Sequence, residues 1–257
     1  MNAYSPIGML DSGAGGLSVL REAVSLLPHE SFLFYGDQGN APYGTKSKQE
    51  VLALVRRAVG RLMDADVKAI VLACNTATAE AALELRQELT LPVIGMEPAL
   101  KPASMCYHGG TILVLATPGT LSSAKYAALS SHWGEHAVSV PCPGLMEFVE
   151  RGELDSPALS AYLERLLAPY RSEQVDAAVL GCTHYVFLKR QISRFFPKGT
   201  PVLDGNAGTV RQLKRVLGER GLLNPGPEKG KVLIESSGNA ENLRVLEKLF
   251  RQNLAMQ

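Results

Sequence analysis

Two cysteines stand where a sequence can place reactive thiols. Cys74 follows the apolar run Ala69-Ile-Val-Leu-Ala73 and precedes Asn75-Thr76; Cys182 follows Ala177-Ala-Val-Leu-Gly181 and precedes Thr183-His184. A cysteine taken alone reads as a small hydrophobe. At the end of a strand and the start of a helix, as both settings suggest, the helix dipole is expected to lower the thiol pKa below its reference of about 8.5. Cys106 and Cys142 lack that setting and are assigned to packing. The four are spaced by 32, 36 and 40 positions with no C-x-x-C. That argues against a zinc site or a disulfide framework and for reduced thiols.

Two strand-end thiols in one cleft suit a reaction that needs an acid and a base of matched strength on opposite sides of one carbon. One thiolate removes a proton from a stereocentre and the other thiol returns one to the opposite face. His184, two positions from Cys182, can orient or exchange protons with that thiol. Asp11 is placed for the corresponding role near Cys74. Glu150 is a further carboxylate in Cys142-Pro-Gly-Leu-Met-Glu-Phe-Val-Glu150, where Glu147 is an equally ordinary charge.

Other chemistries are less well served. Gly13-Ala-Gly15-Gly16 before a helix half-matches a dinucleotide fingerprint, with Asp37 at a ribose-binding distance. Ser18 stands at the third glycine position, however, and Asp11-Ser12 puts an anion where a pyrophosphate would approach. An alternative is that this helix start presents N–H groups to a small carboxylate. Gly39-Asn-Ala-Pro-Tyr-Gly44-Thr-Lys46 resembles a phosphate loop with its lysine out of place. It reads better as a rigid turn around Pro42, offering the Tyr43 and Gly44 N–H groups. No G-x-S-x-G is present for serine hydrolysis.

The elements that must position these residues alternate. Ile7–Leu10, Ser31–Tyr35, Ala69–Ala73 and Pro92–Gly95 read as strands. Helices follow the first three, on Leu17, Leu20, Val24 and Leu27, then on Val51, Val55, Ala58 and Leu62, then on Ala82, Leu85 and Leu89. The pattern restarts at Thr111–Leu115, followed by Ala116-Thr-Pro-Gly-Thr120 and a helix. After a helix through Leu159, Leu163 and Leu166 comes the strand Ala177–Leu180. Asp11 to Cys74 spans 63 positions and Thr117 to Cys182 spans 65, which suggests two similar units. Helices near Val210 to Leu217 and Leu243 to Phe250, with a strand at Val232 to Ile234, are expected to pack back on the first unit. The expected fold is α/β: two doubly wound parallel-sheet domains related by a pseudo-twofold, with the site in the cleft between them. The expected division is 1–97 plus 209–257 for the first domain and 98–208 for the second.

Composition bounds the rest. With 257 residues the chain can bury one or two cores. Lys and Arg number 26 against 25 Asp and Glu, a formal charge of +1, so no global field draws it to nucleic acid or an anionic membrane. No apolar run approaches a membrane span and Met1 to Pro6 does not read as a signal peptide, so the cytoplasm is expected.

Taken together, Ile7-Gly-Met-Leu-Asp11-Ser-Gly, Tyr35-Gly-Asp37 through Pro42-Tyr43-Gly44, Ala73-Cys74-Asn75-Thr76-Ala77, Thr117-Pro-Gly-Thr120 and Leu180-Gly-Cys182-Thr-His184-Tyr resemble the glutamate racemase family, in order over residues 7 to about 185. The resemblance implies a cofactor-independent, two-cysteine enzyme that makes D-glutamate for peptidoglycan, usually as a homodimer. It implies Cys74 and Cys182 as the acid/base pair, with Asp11, Glu150 and His184 as auxiliary groups and Glu147 as the alternative to Glu150. Substrate contacts implied by it are Asp11-Ser12, Tyr43-Gly44, Asn75-Thr76, Thr117, Thr120 and Thr183-His184. No metal and no nucleic-acid partner are expected. The competing readings are an aspartate or other amino-acid racemase of the same superfamily, a noncatalytic module binding a dicarboxylate or a protein, and a nicotinamide-dependent oxidoreductase.

Overall fold

A computed structural model of the chain describes residues 2–252. The first four strands are β1 (Ile7–Asp11), β2 (Phe32–Gly36), β3 (Ala69–Leu72) and β4 (Val93–Gly95). β5 (Thr111–Ala116), β6 (Ala137–Pro141), β7 (Val175–Leu180) and β8 (Val202–Asp204) follow, and β9 (Val232–Ser236) comes last. They form two all-parallel sheets, ordered β4-β3-β1-β2-β9 and β6-β5-β7-β8. Read from the other edge, the second order is β8-β7-β5-β6, which repeats β4-β3-β1-β2 strand for strand. Cys74 after β3 thus corresponds to Cys182 after β7, and Asp11 at the end of β1 to Thr117 after β5.

The helices are α1 (Leu17–Leu26), α2 (Lys48–Met63), α3 (Asn75–Glu88), α4 (Leu100–Ser104), α5 (Pro118–Leu121) and α6 (Ala124–Trp133). Then come α7 (Leu145–Glu150), α8 (Pro157–Leu167), α9 (Lys189–Ser193), α10 (Asn206–Glu219) and α11 (Ala240–Arg251). Each sheet is covered on both faces, which is why β1 and β3 are buried throughout and apolar up to Asp11 at the end of β1. α2 and α3 cover one face of the first sheet, with Val55, Leu62, Ala81 and Leu85 against Leu10, Ile70 and Leu72. α1, α10 and α11 cover the other, and their core runs on without a break into the second sheet through Leu113, Leu115 and Leu180.

The expected return of the C-terminal segment is realised by β9, which pairs in parallel with β2 from Phe32–Val232 to Gly36–Ser236. The single helix expected after Thr120 is two. Thr117 caps α5 by accepting from Thr120 N, and Ser123 breaks the run to cap α6 by accepting from Tyr126 N. β6, β8, α4 and α7 did not stand out in the sequence.

Candidate active site

Cys74 and Cys182 line one cavity, together with Ser12, Tyr43, Gly44, Asn75, Thr76, Thr117, Thr120, Met146, Thr183 and His184. Every expected substrate contact is among them except Asp11, which lies fully buried just behind the wall. The cavity is about 10 Å3, the lower limit for a single water.

Cys74 is itself the N-cap of α3: its Sγ accepts from Ala77 N at 3.4 Å and lies 3.5 Å from Ser12 Oγ. The expectation of a lowered thiol pKa is overturned here. Burial, reinforced by the nearby Asp11 carboxylate, pushes the thiol up to about 12, and the Ala77 N–H and Ser12 hydroxyl offset only part of this. The helix start is real, but desolvation of a thiolate outweighs one turn of N–H dipoles.

Cys182 differs. The segment expected to begin an α-helix is a 3-10 helix, Thr183–Leu188, with no side-chain cap. Tyr185, Val186 and Phe187 are weak helix formers that bury instead against the core, so the thiol cannot draw on a regular α-helix dipole. His184 is the polar neighbour of this thiol instead. Its Nδ1 lies 3.6 Å from Cys182 Sγ and its Nε2 lies 2.6 Å from Glu150 Oε1. With Nε2–H donated to the carboxylate, Nδ1 is the nitrogen that faces the thiol proton. Burial disfavours the imidazolium, but Cys182 and Glu150 together raise the His184 pKa well above its usual value. Glu150 moves the other way: burial opposes its charge, yet hydrogen bonds from His184, Gln38 and Ala14 N lower its pKa. Glu150, not Glu147, is the carboxylate on this line. Glu147 points elsewhere, with its Oε2 buried and unpartnered.

The glycines of the first turn make room for this line. An added Cβ at Gly13 would sit 2.0 Å from Glu150 Oε1, and one at Gly15 would sit 2.4 Å from His184 Nδ1. The turn is filled from the opposite domain, where a pyrophosphate would have to lie. Asp37, the candidate ribose ligand, is occupied by Tyr43 Oη at 2.5 Å and Asn40 Nδ2 at 2.9 Å. These contacts dispose of the nicotinamide reading.

Asp11 accepts from Gly13 N at 2.7 Å and from Thr183 Oγ1 at 3.1 Å. Its pKa is nonetheless raised, because burial outweighs the opposing pull of His184 and Gly13 N. A carboxyl whose pKa is higher folded than unfolded loses stability as pH rises above the unfolded value of 3.8. Asp11→Asn, which keeps an acceptor for Gly13 N, is therefore expected to melt at a higher temperature than the parent at pH 7. A calorimetric scan of both proteins at pH 7 checks this, and an equal or lower melting temperature would contradict it.

Thr76 Oγ1 lies 3.3 Å from Thr117 Oγ1 and 3.2 Å from Thr120 Oγ1, a hydroxyl cluster spanning the two sheets. Asn75 Oδ1 is buried and without a partner. Cys142 is buried with its Sγ toward Val140 O, and neither it nor Cys106 lines the cavity. Among the described residues no group of three or more His, Cys, Asp or Glu is placed to hold a metal ion, and no helix is long and apolar enough to cross a membrane. Two participants were missed in the sequence. Met146 lines the cavity, and Gln38 donates to Glu150 from 112 positions away. Nothing in the local sequence of either marks the contact.

A family model described as Asp/Glu/Hydantoin racemase matches residues 19–213. The chain belongs to this family. It is 47% identical over 236 residues to a glutamate racemase of Clostridium acetobutylicum, covering 91% of this chain and 92% of that one. A solved glutamate racemase isoform from Bacillus anthracis superposes with a TM-score of 0.85 at 31% identity, over 98% of this chain and 96% of that one. A glutamate racemase from Francisella tularensis, solved in complex with D-glutamate, gives a TM-score of 0.82 at 28% identity, over 98% and 95% of the two chains. Family membership and the two-sheet fold thus agree with the order of motifs read from the sequence.

Proposed function

We propose that this chain interconverts L- and D-glutamate without a cofactor, using Cys74 and Cys182 as a two-sided acid/base pair. The observation that carries the reading is that both thiols line one cavity, each at a strand end, in sheets whose strand orders correspond. The glutamate racemases of Clostridium, Bacillus and Francisella supply the substrate.

The α-hydrogen of an amino acid is a far weaker acid than a thiol, so the base must be close, dehydrated and aligned before transfer. Cys182, beside the His184–Glu150 pair, begins as thiolate with imidazolium. Cys74, held protonated by burial, begins as thiol. A substrate whose α-hydrogen faces Cys182 loses it there and gains one from Cys74. The opposite enantiomer needs the reversed proton arrangement, and Asp11 and His184 serve that exchange between turnovers. Equal free energies of the two enantiomers require comparable handling of both hands, which the corresponding sheets provide.

Ser12, Tyr43-Gly44, Asn75-Thr76, Thr117, Thr120 and Thr183-His184 bind the substrate. The unpartnered Asn75 Oδ1 is an acceptor that an ammonium group would satisfy. A dicarboxylic amino acid is much larger than one water, so the Tyr43–Thr45 turn and α5 part to admit it. The chain divides into 1–97 with 209–257 and 98–208, which open against each other at the cleft. The same reading makes the protein a cytoplasmic homodimer that supplies D-glutamate for peptidoglycan.

Optical rotation of L-glutamate and of L-aspartate, each with purified protein and no added pyridoxal phosphate or metal, tests the reading. Decay toward zero with glutamate and little change with aspartate is expected. Decay with aspartate alone replaces the substrate and keeps the chemistry, while no decay with either overturns the proposal.

A further inference from the structure

The Cys182–His184–Glu150 line does not stop at the carboxylate. Glu150 Oε2 accepts from Gln38 Nε2 at 2.7 Å. Gln38 is buried in the turn after β2. Its own Oε1 accepts from Ser236 Oγ, on β9, at 2.9 Å, and Gly238 N–H donates to Ser236 Oγ at 3.0 Å. The polarity of this chain follows from Glu150, whose carboxylate only accepts. The NH2 end of Gln38 must therefore face Glu150, which turns Oε1 toward the Ser236 hydroxyl hydrogen and leaves a lone pair of Ser236 Oγ for Gly238 N–H.

We propose that Gln38, oriented by Ser236, is a positioning residue for the Cys182 half of the reaction. The inference rests on the two-thiol reading of the site. Glu150 Oε1 is already shared by His184 Nε2 and Ala14 N, both at 2.6 Å. Gln38 holds the second oxygen and stops the carboxylate from rotating away from the imidazole. An amide does not titrate, so this donor is present at every pH at which the enzyme works. Cys74 has no counterpart: its contacts are Ser12 and Ala77 N. Removing Gln38 therefore disturbs proton transfer at one thiol and leaves the other in place.

Rates alone cannot show such one-sidedness. Because the enantiomers have equal free energy, kcat/KM falls by the same factor in both directions whichever residue is changed. Primary isotope effects do distinguish the sides. In Gln38→Ala, kcat/KM is expected to fall about 10-fold in each direction, the loss of one hydrogen bond to a charged group. With α-deuterated substrates, the isotope effect should rise for the enantiomer whose hydrogen faces Cys182 and shrink toward unity for the other, as transfer at Cys182 becomes the slower step. That enantiomer is identified independently as the one whose α-hydrogen no longer exchanges in Cys182→Ser.

Ser236→Ala, which keeps Gln38 but removes the hydroxyl that anchors its Oε1, should shift both isotope effects in the same sense by a smaller amount. It also keeps the test decisive if Gln38→Ala folds poorly by circular dichroism. Folded variants whose isotope effects match the parent's, or move equally for both hands, overturn the inference while the two-thiol reading stands. A parent protein that racemises nothing overturns both.

Discussion

Replacing either Cys74 or Cys182 by serine is expected to lower kcat for glutamate racemisation about a thousandfold or more in both directions, with the fold retained. A positioned acid or base contributes about 10²- to 10⁴-fold, and an alcohol is both a weaker acid and a far more basic anion than a thiol. Each single variant removes one side of the transfer, so inversion fails while exchange at the remaining thiol survives for one hand of substrate. Folding should persist because serine is a favoured N-cap, able to accept from Ala77 N where Cys74 Sγ does now. A stability change of about 1 kcal/mol is in keeping with a near-isosteric buried substitution. Kinetics with each enantiomer, beside a thermal melt, checks both parts. A serine variant racemising at a tenth of the parental rate would mean that its thiol is not an acid/base group.

His184→Asn carries the second large effect. The imidazole lies between a thiol and a carboxylate, and its side chain is 2% exposed against 14% for Glu150. Asparagine cannot take the Cys182 proton. It also leaves Glu150 buried with only Ala14 N and Gln38 as donors. We expect kcat to fall about 100-fold or more and stability to fall by about 3 kcal/mol, as when one partner of a buried pair is removed.

The pH dependence of stability separates this from a packing defect. The folded pKa of Glu150 is lowered, so its contribution is present above the unfolded value of 4.5 and is lost as pH falls through the folded value. The folded pKa of His184 is raised, so its contribution is complete below 6.5 and is lost as pH rises through the folded value. The destabilisation caused by His184→Asn should therefore be largest between those limits and shrink in acid. A denaturation series from pH 3 to pH 7 reads this directly, and a pH-independent loss would point to packing alone.

What could be read in the sequence divides along physical lines. β1, β3, β5 and β7 were legible because strands covered on both faces must be apolar throughout, and their ends carried Asp11, Cys74, Thr117 and Cys182. β6, at an edge, alternates too weakly, with Val138 exposed and Val140 buried. β8 has only three residues. The cavity-lining residues other than Met146 were legible through short motifs at strand ends and in the turn around Tyr43-Gly44. The electrostatics were not. A dipole acting on Cys74 follows from local sequence, but its burial depends on β1, α3 and the opposite domain closing over it. The glycines at 13 and 15 had a visible freedom whose use was hidden, because Glu150 and His184 arrive from more than 130 positions away. Gln38 was invisible for the same reason: an amide in a turn carries no mark of the carboxylate it will meet.

The central claim is that two different groups handle the proton on the two faces of the α-carbon. Its most direct test is racemisation in D2O, with the isotope content of each enantiomer followed from the first few per cent of conversion. Two thiols on opposite faces predict deuterium in the product enantiomer and protium retained in the unconverted substrate. Deuterium appearing equally early in both enantiomers, or product that keeps its original hydrogen, would mean that a single base serves both faces, and the account given for Cys74 and Cys182 would be wrong.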